Sequence, residues 1–210
     1  MIYPTLEFEE KYWKLGYRYV CGLDEVGRGC FAGPVVVGAV IFAEPVQGDA
    51  LREIPEGIAD SKLLTPKKRE KLAEEIKKTA LAWSIAEIPV CHINKLGIGK
   101  ATQMAFRKAV KSLDKNPDFI LIDAFYIKHL NRKKQEPIIK GDQLSISIAA
   151  ASIIAKVHRD KLMDELHGKY PQYGFNKHKG YGTKAHRDAI KKHGLSRIHR
   201  KSFNLEKFLI

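Results

Sequence analysis

Three acids stand where a carboxylate can do chemistry. Asp24 and Asp123 each close an apolar, strand-like run, and Asp142 follows Gly141 just ahead of a long apolar stretch. In an open α/β sheet, strand ends and helix starts are where a site forms. Carboxylates gathered there raise one another's pKa, because like charges oppose ionisation. A divalent cation resolves that conflict, and hard oxygen ligands suit Mg²⁺ or Mn²⁺. Glu25 can join Asp24 only if the chain leaves strand geometry between them or just after, since strand neighbours point to opposite faces. Gly27 and Gly29 supply that freedom. One acid at a strand end is most simply a cap or turn residue, but three or four in so basic a chain favour a metal site.

Two further patterns carry chemistry. Gly27-Arg28-Gly29 is a glycine-rich turn whose exposed N–H groups can hold a phosphate or a hydroxyl, although a GxG alone is a weak signal. The segment from Asn176 to Arg187 interleaves aromatic, glycine and basic residues, a mixture suited to stacking on a sugar or base beside phosphate contacts. Read in isolation, it is equally a solvated loop. Six of the eight histidines follow residue 150, with no zinc-like spacing. Most of them read as surface residues, and one is a candidate proton carrier. Cys21, Cys30 and Cys91 are an odd number without CxxC, which argues for free thiols and against a disulfide framework or zinc ribbon.

The elements that must position these residues alternate between strands and helices. The pattern predicts a helix over 5–15 capped by Thr5, strands over 17–23 and 34–42, and a loop over 48–57. A helix over 66–78 follows, with Thr65 as cap and Pro66 at its first position. Next come a strand over 81–88, a helix from Asn94 to about Leu113, a short strand over 119–123, a basic loop over 128–134 and a strand over 136–140. The run 144–166 predicts the longest helix, its first half buried nearly all round. A loop over 170–181 leads to a helix capped by Thr183 and stopped by Gly194. This order predicts an α/β fold with helices packed on a central sheet and an all-helical end.

The chain of 210 residues suits one domain with a good core. Its 44% hydrophobic and 29% charged residues exclude a disordered chain. The net charge of +13 points to a polyanion, with nucleic acid ahead of membrane. No stretch reaches transmembrane length, and Met1-Ile2-Tyr3-Pro4 does not resemble a signal peptide, so a cytoplasmic protein is expected. The charge is uneven. Residues 1–60 carry 5 Lys/Arg against 10 Asp/Glu, whereas 61–150 and 151–210 are each +9. A protein that only coats nucleic acid has no use for an acidic first third.

Together the motifs resemble those of the ribonuclease HII family. They are Asp24-Glu25-Val26-Gly27-Arg28-Gly29 with Ala32-Gly33-Pro34-Val35, Asp60-Ser61-Lys62, Ile122-Asp123, Lys140-Gly141-Asp142, Ile148 to Val157 with Arg159-Asp160, Gly180-Tyr181-Gly182-Thr183, and His199 to Phe203. The resemblance runs from about Tyr17 to Phe203 in the family's order. It implies a ribonuclease H-like fold, a mixed five-stranded sheet flanked by helices, with a C-terminal helical extension. Residues 1–150 would form the core, and 151–210 the rest of the core helix plus a substrate-binding extension, together one catalytic unit. It also implies an endonuclease that hydrolyses RNA in RNA–DNA hybrids and incises 5′ to a single ribonucleotide in duplex DNA, using two metal ions and leaving 3′-hydroxyl and 5′-phosphate ends.

Asp24, Glu25, Asp123 and Asp142 carry over as metal ligands for Mg²⁺ or Mn²⁺. Gly27, Arg28 and Gly29 carry over as readers of the 2′-hydroxyl, and Tyr181 as the residue packing on the adjoining sugar. Ser61 and Lys62 are further substrate-binding candidates. Cys30-Phe31 departs from the family's commoner Pro-Leu, and Ala124 from the Gly usual in bacterial members. The chain lacks the extra N-terminal domain and the different residue between the glycines that mark the related ribonuclease HIII branch. The alternatives are another ribonuclease H-like nuclease, which gives the Gly27 turn and Tyr181 no purpose, and a non-catalytic nucleic-acid-binding module, which leaves the acids unexplained. A monomer is expected. Ser202, Leu205, Phe208 and Leu209 have the spacing of a sliding-clamp-binding tail without its usual Gln, and a short helix packed on the domain accounts for them more simply.

Overall fold

A computed structural model describes residues 3–44 and 53–209. Part of the loop expected over 48–57 and the first two residues lie outside the described residues.

Five strands, β1 (Val20–Val26), β2 (Val35–Ile41), β3 (Ala82–Ile88), β4 (Phe119–Asp123) and β5 (Gln135–Ile138), form one mixed sheet in the order β3-β2-β1-β4-β5. β1 pairs antiparallel with β2 and parallel with β4, which in turn pairs parallel with β5. The central β1 therefore ends beside β4, and Asp24 and Asp123 come to the same end of the sheet. The pattern's α/β reading holds, and the sheet is the mixed five-stranded one that the family resemblance implies.

Helices cover both faces. α4 (Ile98–Lys111) buries Ala101, Ala105, Phe106 and Ala109 against Cys21, Leu23, Val35, Val37 and Ile120. The other face packs α6 (Ile146–Lys169) and α2 (Pro66–Thr79) against Val40 and Phe42. α1 (Glu7–Lys14) closes the β4–β5 side through Tyr12 and Trp13 against Val20, Phe119 and Leu121. α6 lies unusually close to the sheet because glycines face it. A Cβ on Gly22 would fall 2.1 Å from the Ser147 carbonyl carbon, and one on Gly38 2.2 Å from the Ala151 oxygen. The helix meets them with Ala149, Ala150, Ala151 and Ser152, all buried, which explains why its first half carries no charge.

The caps at Thr65 and Thr183 form as expected. Their hydroxyls accept from the N–H groups of Lys68 and His186, a contact worth about 1 kcal/mol each. Other expectations need correction. Thr5 is not the cap of α1, because its backbone is taken by bonds to Leu144 and Ile146, and the cap position falls to Leu6. The helix expected from Asn94 is two helices, α3 (Val90–Leu96) and α4, broken at Gly97 with φ +76°. Asn94 lies inside α3 and turns its amide to His199 and Ser202. The first strand starts and ends three residues later than predicted, because pairing with β2 carries it through Asp24 and Glu25 to Val26.

The segment 170–181 is not a plain loop. It forms a 3-10 turn over Pro171–Tyr173 and a short α7 (Phe175–His178), with Tyr173 and Phe175 buried against Ala32 and Met163. α5 (Gly141–Leu144) and α8 (Lys184–His193) complete the helices. The C-terminal tail folds into 3-10 turns over Lys201–Phe203 and Leu205–Phe208, with Leu205 buried and Phe208 stacked on Phe31. Packing on the domain therefore accounts for its apolar spacing. Among the described residues no helix is long and apolar enough to cross a membrane.

Candidate active site

Asp24 is buried near the end of β1 on the face that meets α6. One carboxylate oxygen accepts the Glu25 N–H at 2.7 Å. The Ser152 hydroxyl also bonds the carboxylate, and Ser152 is itself 3.0 Å from the Ser61 hydroxyl. Burial, then the charges of Glu25, Asp123 and Asp142, drive the Asp24 pKa well above the usual carboxylate range, and the Ser152 bond offsets this only in part.

Glu25 continues the strand and points to the opposite face. The condition for joining the site is met just after it, since β1 ends at Val26 and Gly27 takes φ +86°. At the open strand end Glu25 faces Arg28, 3.8 Å from its Oε1. Its Oε2 is buried with no hydrogen-bond partner. Burial is the main reason its pKa rises to about 7, with Arg28 pulling it down and Asp123 pushing it up.

Asp123 ends β4, and its Oδ1 accepts the Gly141 N–H at 2.8 Å. Burial raises its pKa, the Gly141 bond opposes this, and Asp142 adds to the rise. Asp142, in the first turn of α5, is presented by Lys140, which holds φ +59°. Its Oδ2 accepts from Lys62 Nζ at 3.2 Å. Lys62 also lies 3.9 Å from Asp60. Its pKa is raised, because the pull of Asp142, Asp60 and Asp24 outweighs its partial burial.

Asp24, Glu25, Asp123, Asp142 and Asp60 thus surround one end of the sheet, with Lys62 spread over Asp142, Asp60 and Asp24 and Arg28 beside Glu25. Among the described residues no three acid, imidazole or thiol side chains converge as a ready-made metal cluster. The donor set still fits a hard divalent cation. All the donors are carboxylate oxygens, burial and then neighbouring acids raise the pKa values of Asp24, Glu25 and Asp123, and Glu25 Oε2 is an acceptor without a donor.

The remaining candidates separate. Gly27 can only be glycine, since φ is positive and a Cβ would meet Arg159 Nε at 2.0 Å. Arg28 lies 5.0 Å over the Phe125 ring and remains 47% exposed. Gly29 faces open space. Tyr181 is 42% exposed, with Lys156 Nζ 5.9 Å from its ring. Ser61, by contrast, is buried behind Asp24 with its hydroxyl on Ser152. It supports an acid and is not at a surface that substrate would touch.

Sequence reasoning missed the groups that fix these loops. Arg159 and Arg200 are fully buried, and their hydrogen bonds go to backbone carbonyls of Arg28, Ala32, Gly33, Pro34 and Lys179. His186 and His199, of a histidine set expected mostly at the surface, are also fully buried. The quoted motifs contained Arg159 and the His199-Arg200 pair, but residue type alone does not separate a buried cation from the many surface ones in a basic chain.

A family model of ribonuclease HII matches residues 21–206. The chain belongs to the ribonuclease HII family. The ribonuclease HII of Caldicellulosiruptor bescii is 48% identical over 197 residues, covering 94% of this chain and 92% of the relative. Among solved structures, ribonuclease H2 from Pyrococcus horikoshii superposes with a TM-score of 0.71 at 27% identity, covering 91% of this chain and 99% of that one. A PCNA:RNase HII complex from Archaeoglobus fulgidus matches with a TM-score of 0.70 at 25% identity, covering 88% of this chain and 93% of that one. Membership of the ribonuclease HII family makes the chain a metal-dependent endoribonuclease that acts on the RNA of RNA–DNA hybrids.

Proposed function

We propose that this ribonuclease HII also incises duplex DNA on the 5′ side of a single embedded ribonucleotide, with Asp24, Glu25, Asp123 and Asp142 holding two divalent ions. The observation that carries the reading is the group of acids at the ends of β1 and β4 beside Gly27-Arg28-Gly29, with raised carboxyl pKa values and an unpartnered Glu25 oxygen. When bound, such ions supply an activated water and stabilise charge on the leaving 3′-oxygen. Mg²⁺ and Mn²⁺ both suit the all-oxygen donor set.

The protein's own residues do the rest. Ser152, backed by Ser61, holds one oxygen of Asp24, and the Gly141 N–H holds one of Asp123, so both carboxylates are oriented before any ion arrives. The Gly27-Arg28-Gly29 backbone presents polar groups to a 2′-hydroxyl, which is what separates RNA from DNA. Tyr181 offers its exposed ring to the next sugar. The 2′-hydroxyl serves as a recognition handle and not as the nucleophile, so the products are a 3′-hydroxyl and a 5′-phosphate with no 2′,3′-cyclic phosphate. The basic surface of residues 61–210 takes the flanking phosphates, and affinity falls steeply with salt.

The core and the C-terminal extension are proposed to act as one catalytic unit in a monomer. A sliding clamp is a further partner of this reading. Leu209 is exposed in the tail, whereas Leu205 and Phe208 would have to leave the domain to be engaged. The test of the main reading is a duplex with one ribonucleotide, incubated with Mg²⁺, with Mn²⁺ or with chelator. Metal-dependent cleavage at the 5′ side of the ribonucleotide supports the reading, and a cyclic phosphate product or metal-independent cleavage refutes it.

A further inference from the structure

The two proposed readers of the ribonucleotide, the Gly27-Arg28-Gly29 turn and Tyr181, lie about 150 residues apart in the chain. Neither belongs to a strand or helix that fixes its distance from the other. Backbone bonds from Phe31 and Ala32 N–H to the Gly180 carbonyl, and Arg159 across the Ala32 and Lys179 carbonyls, join the two segments. The dipeptide His199-Arg200 adds a further tie, directly to the turn and through His186 to Tyr181.

Arg200 reaches the turn. Its Nη1 donates to the Arg28 carbonyl at 2.8 Å, and its Nε and Nη2 donate to the Gly33 carbonyl at 3.0 and 2.9 Å. The same segment is pinned by backbone bonds, Arg200 N–H to Phe31 at 2.8 Å and Gly33 N–H to Ile198 at 2.9 Å, with His199 bridged to Ala32. His199 reaches Tyr181 through His186. The Ser196 N–H donates to His199 Nδ1 at 2.9 Å, His199 Nε2 lies 3.1 Å from His186 Nε2, and His186 Nδ1 lies 2.9 Å from the Tyr181 carbonyl.

The partners fix the protons in this chain. A carbonyl can only accept, so His186 Nδ1 carries a hydrogen and its Nε2 is bare. A backbone N–H can only donate, so His199 Nδ1 is bare and its Nε2 carries the hydrogen that bonds to His186. The Ser196 hydroxyl, 2.8 Å from the same bare Nδ1, donates to it as well, and both rings are neutral. Burial lowers both histidine pKa values to about 4, consistent with neutral rings at pH 7. Phe175 and the His178 ring pack on His186, and the edge of Tyr173 packs on His199, so neither ring is free to turn.

We propose that His199, Arg200 and His186 are positioning residues that fix the orientation of Tyr181 relative to the Gly27-Arg28-Gly29 turn, on top of the backbone and Arg159 ties that hold the two segments together, and with it the enzyme's preference for a single ribonucleotide followed by deoxyribonucleotide. The proposal rests on the reading of those two groups as the ribonucleotide's readers. It assigns a function to the His199-Arg200 motif, which none of the carboxylate chemistry uses. The substrates separate the role from mere folding. A continuous RNA–DNA hybrid offers a 2′-hydroxyl at every position of the RNA strand, so it tolerates a loosened Tyr181. A lone ribonucleotide offers one register only.

The test is a double-mutant cycle of His186→Leu with Tyr181→Ala, with kcat/KM measured on both substrates and thermal unfolding followed in parallel. His186→Leu should cost about 10-fold on the single ribonucleotide, the scale expected from slight misplacement of a contact, and leave the continuous hybrid unchanged. In the Tyr181→Ala background it should cost nothing further, because both changes remove the same contact. His186→Asn, which places an amide N–H where Nδ1 stands, should restore most of the selectivity. If His186→Leu slows both substrates equally, or if its effect persists in the Tyr181→Ala background, the pair is structural and the proposal fails. If Tyr181→Ala itself leaves the single-ribonucleotide reaction intact, the reading of Tyr181 fails first and the proposal with it.

Discussion

Lys62 Nζ stands 3.2 Å from Asp142 Oδ2 and 3.9 Å from Asp60 Oδ1, a cation set among the carboxylates at the end of the sheet. Its side chain is 74% exposed, so the ion pair is worth little in stability, about 0.5–1 kcal/mol. Its local effect on the acids is the larger one. Lys62→Met should lower the melting temperature of the metal-free protein by roughly 1–4 °C, the shift expected of that energy in a chain of this size. The deficit should vanish at saturating Mn²⁺, which replaces the missing positive charge. Equal deficits with and without metal would show that Lys62 acts through packing and not through the acids.

Glu25 predicts a proton linked to metal binding. Burial holds its carboxyl proton up to about pH 7, and Asp24 is raised in the same direction. In the folded protein Glu25 therefore keeps a proton that the unfolded chain has released above its ordinary range. The stability this contributes is present at low pH and falls away as pH rises through about 7. A divalent ion needs the carboxylate, so binding must expel that proton below about pH 7 and not well above it. Calorimetric titration with Mn²⁺ in two buffers of different ionisation enthalpy reads this directly. Proton release at about pH 6 that disappears at about pH 9 is expected for a carboxylate ligand with this shift. Buffer-independent heats at the lower pH would contradict it.

Ala124, next to Asp123, holds φ +71° where an L side chain is strained. Ala124→Gly should relieve about 0.5–1 kcal/mol, the left-handed penalty less the entropy a glycine adds to the unfolded chain. That is roughly 1–4 °C in melting temperature. A fall in melting temperature would mean that the Ala124 methyl makes contacts worth more than the strain.

Much of this was legible in the sequence, for reasons tied to particular residues. Asp24 and Asp123 could be placed together because a polar acid ending an apolar run marks a strand end. The caps at Thr65 and Thr183 could be read because capping is local. The break at Gly97 was missed because the apolar spacing runs through it unchanged and only its positive φ reveals it. Thr5 was misread because a backbone pairing with residues 144–146 overrode its local preference. Arg159, Arg200, His186 and His199 were illegible for a different reason. Their acceptors are mostly carbonyls far away in sequence, and a carbonyl leaves no trace in residue type.

The central claim is that the acids at the sheet end hold the metal that cleaves, while other residues hold the substrate. Asp123→Asn separates the two, since it keeps the shape of the side chain and an oxygen for the Gly141 N–H but removes the charge. The account predicts that kcat on a single-ribonucleotide duplex falls at least about 100-fold, equivalent to about 3 kcal/mol of lost transition-state stabilisation, while affinity for that duplex stays at the wild-type level. Near-normal turnover in the Asp123→Asn protein would contradict it.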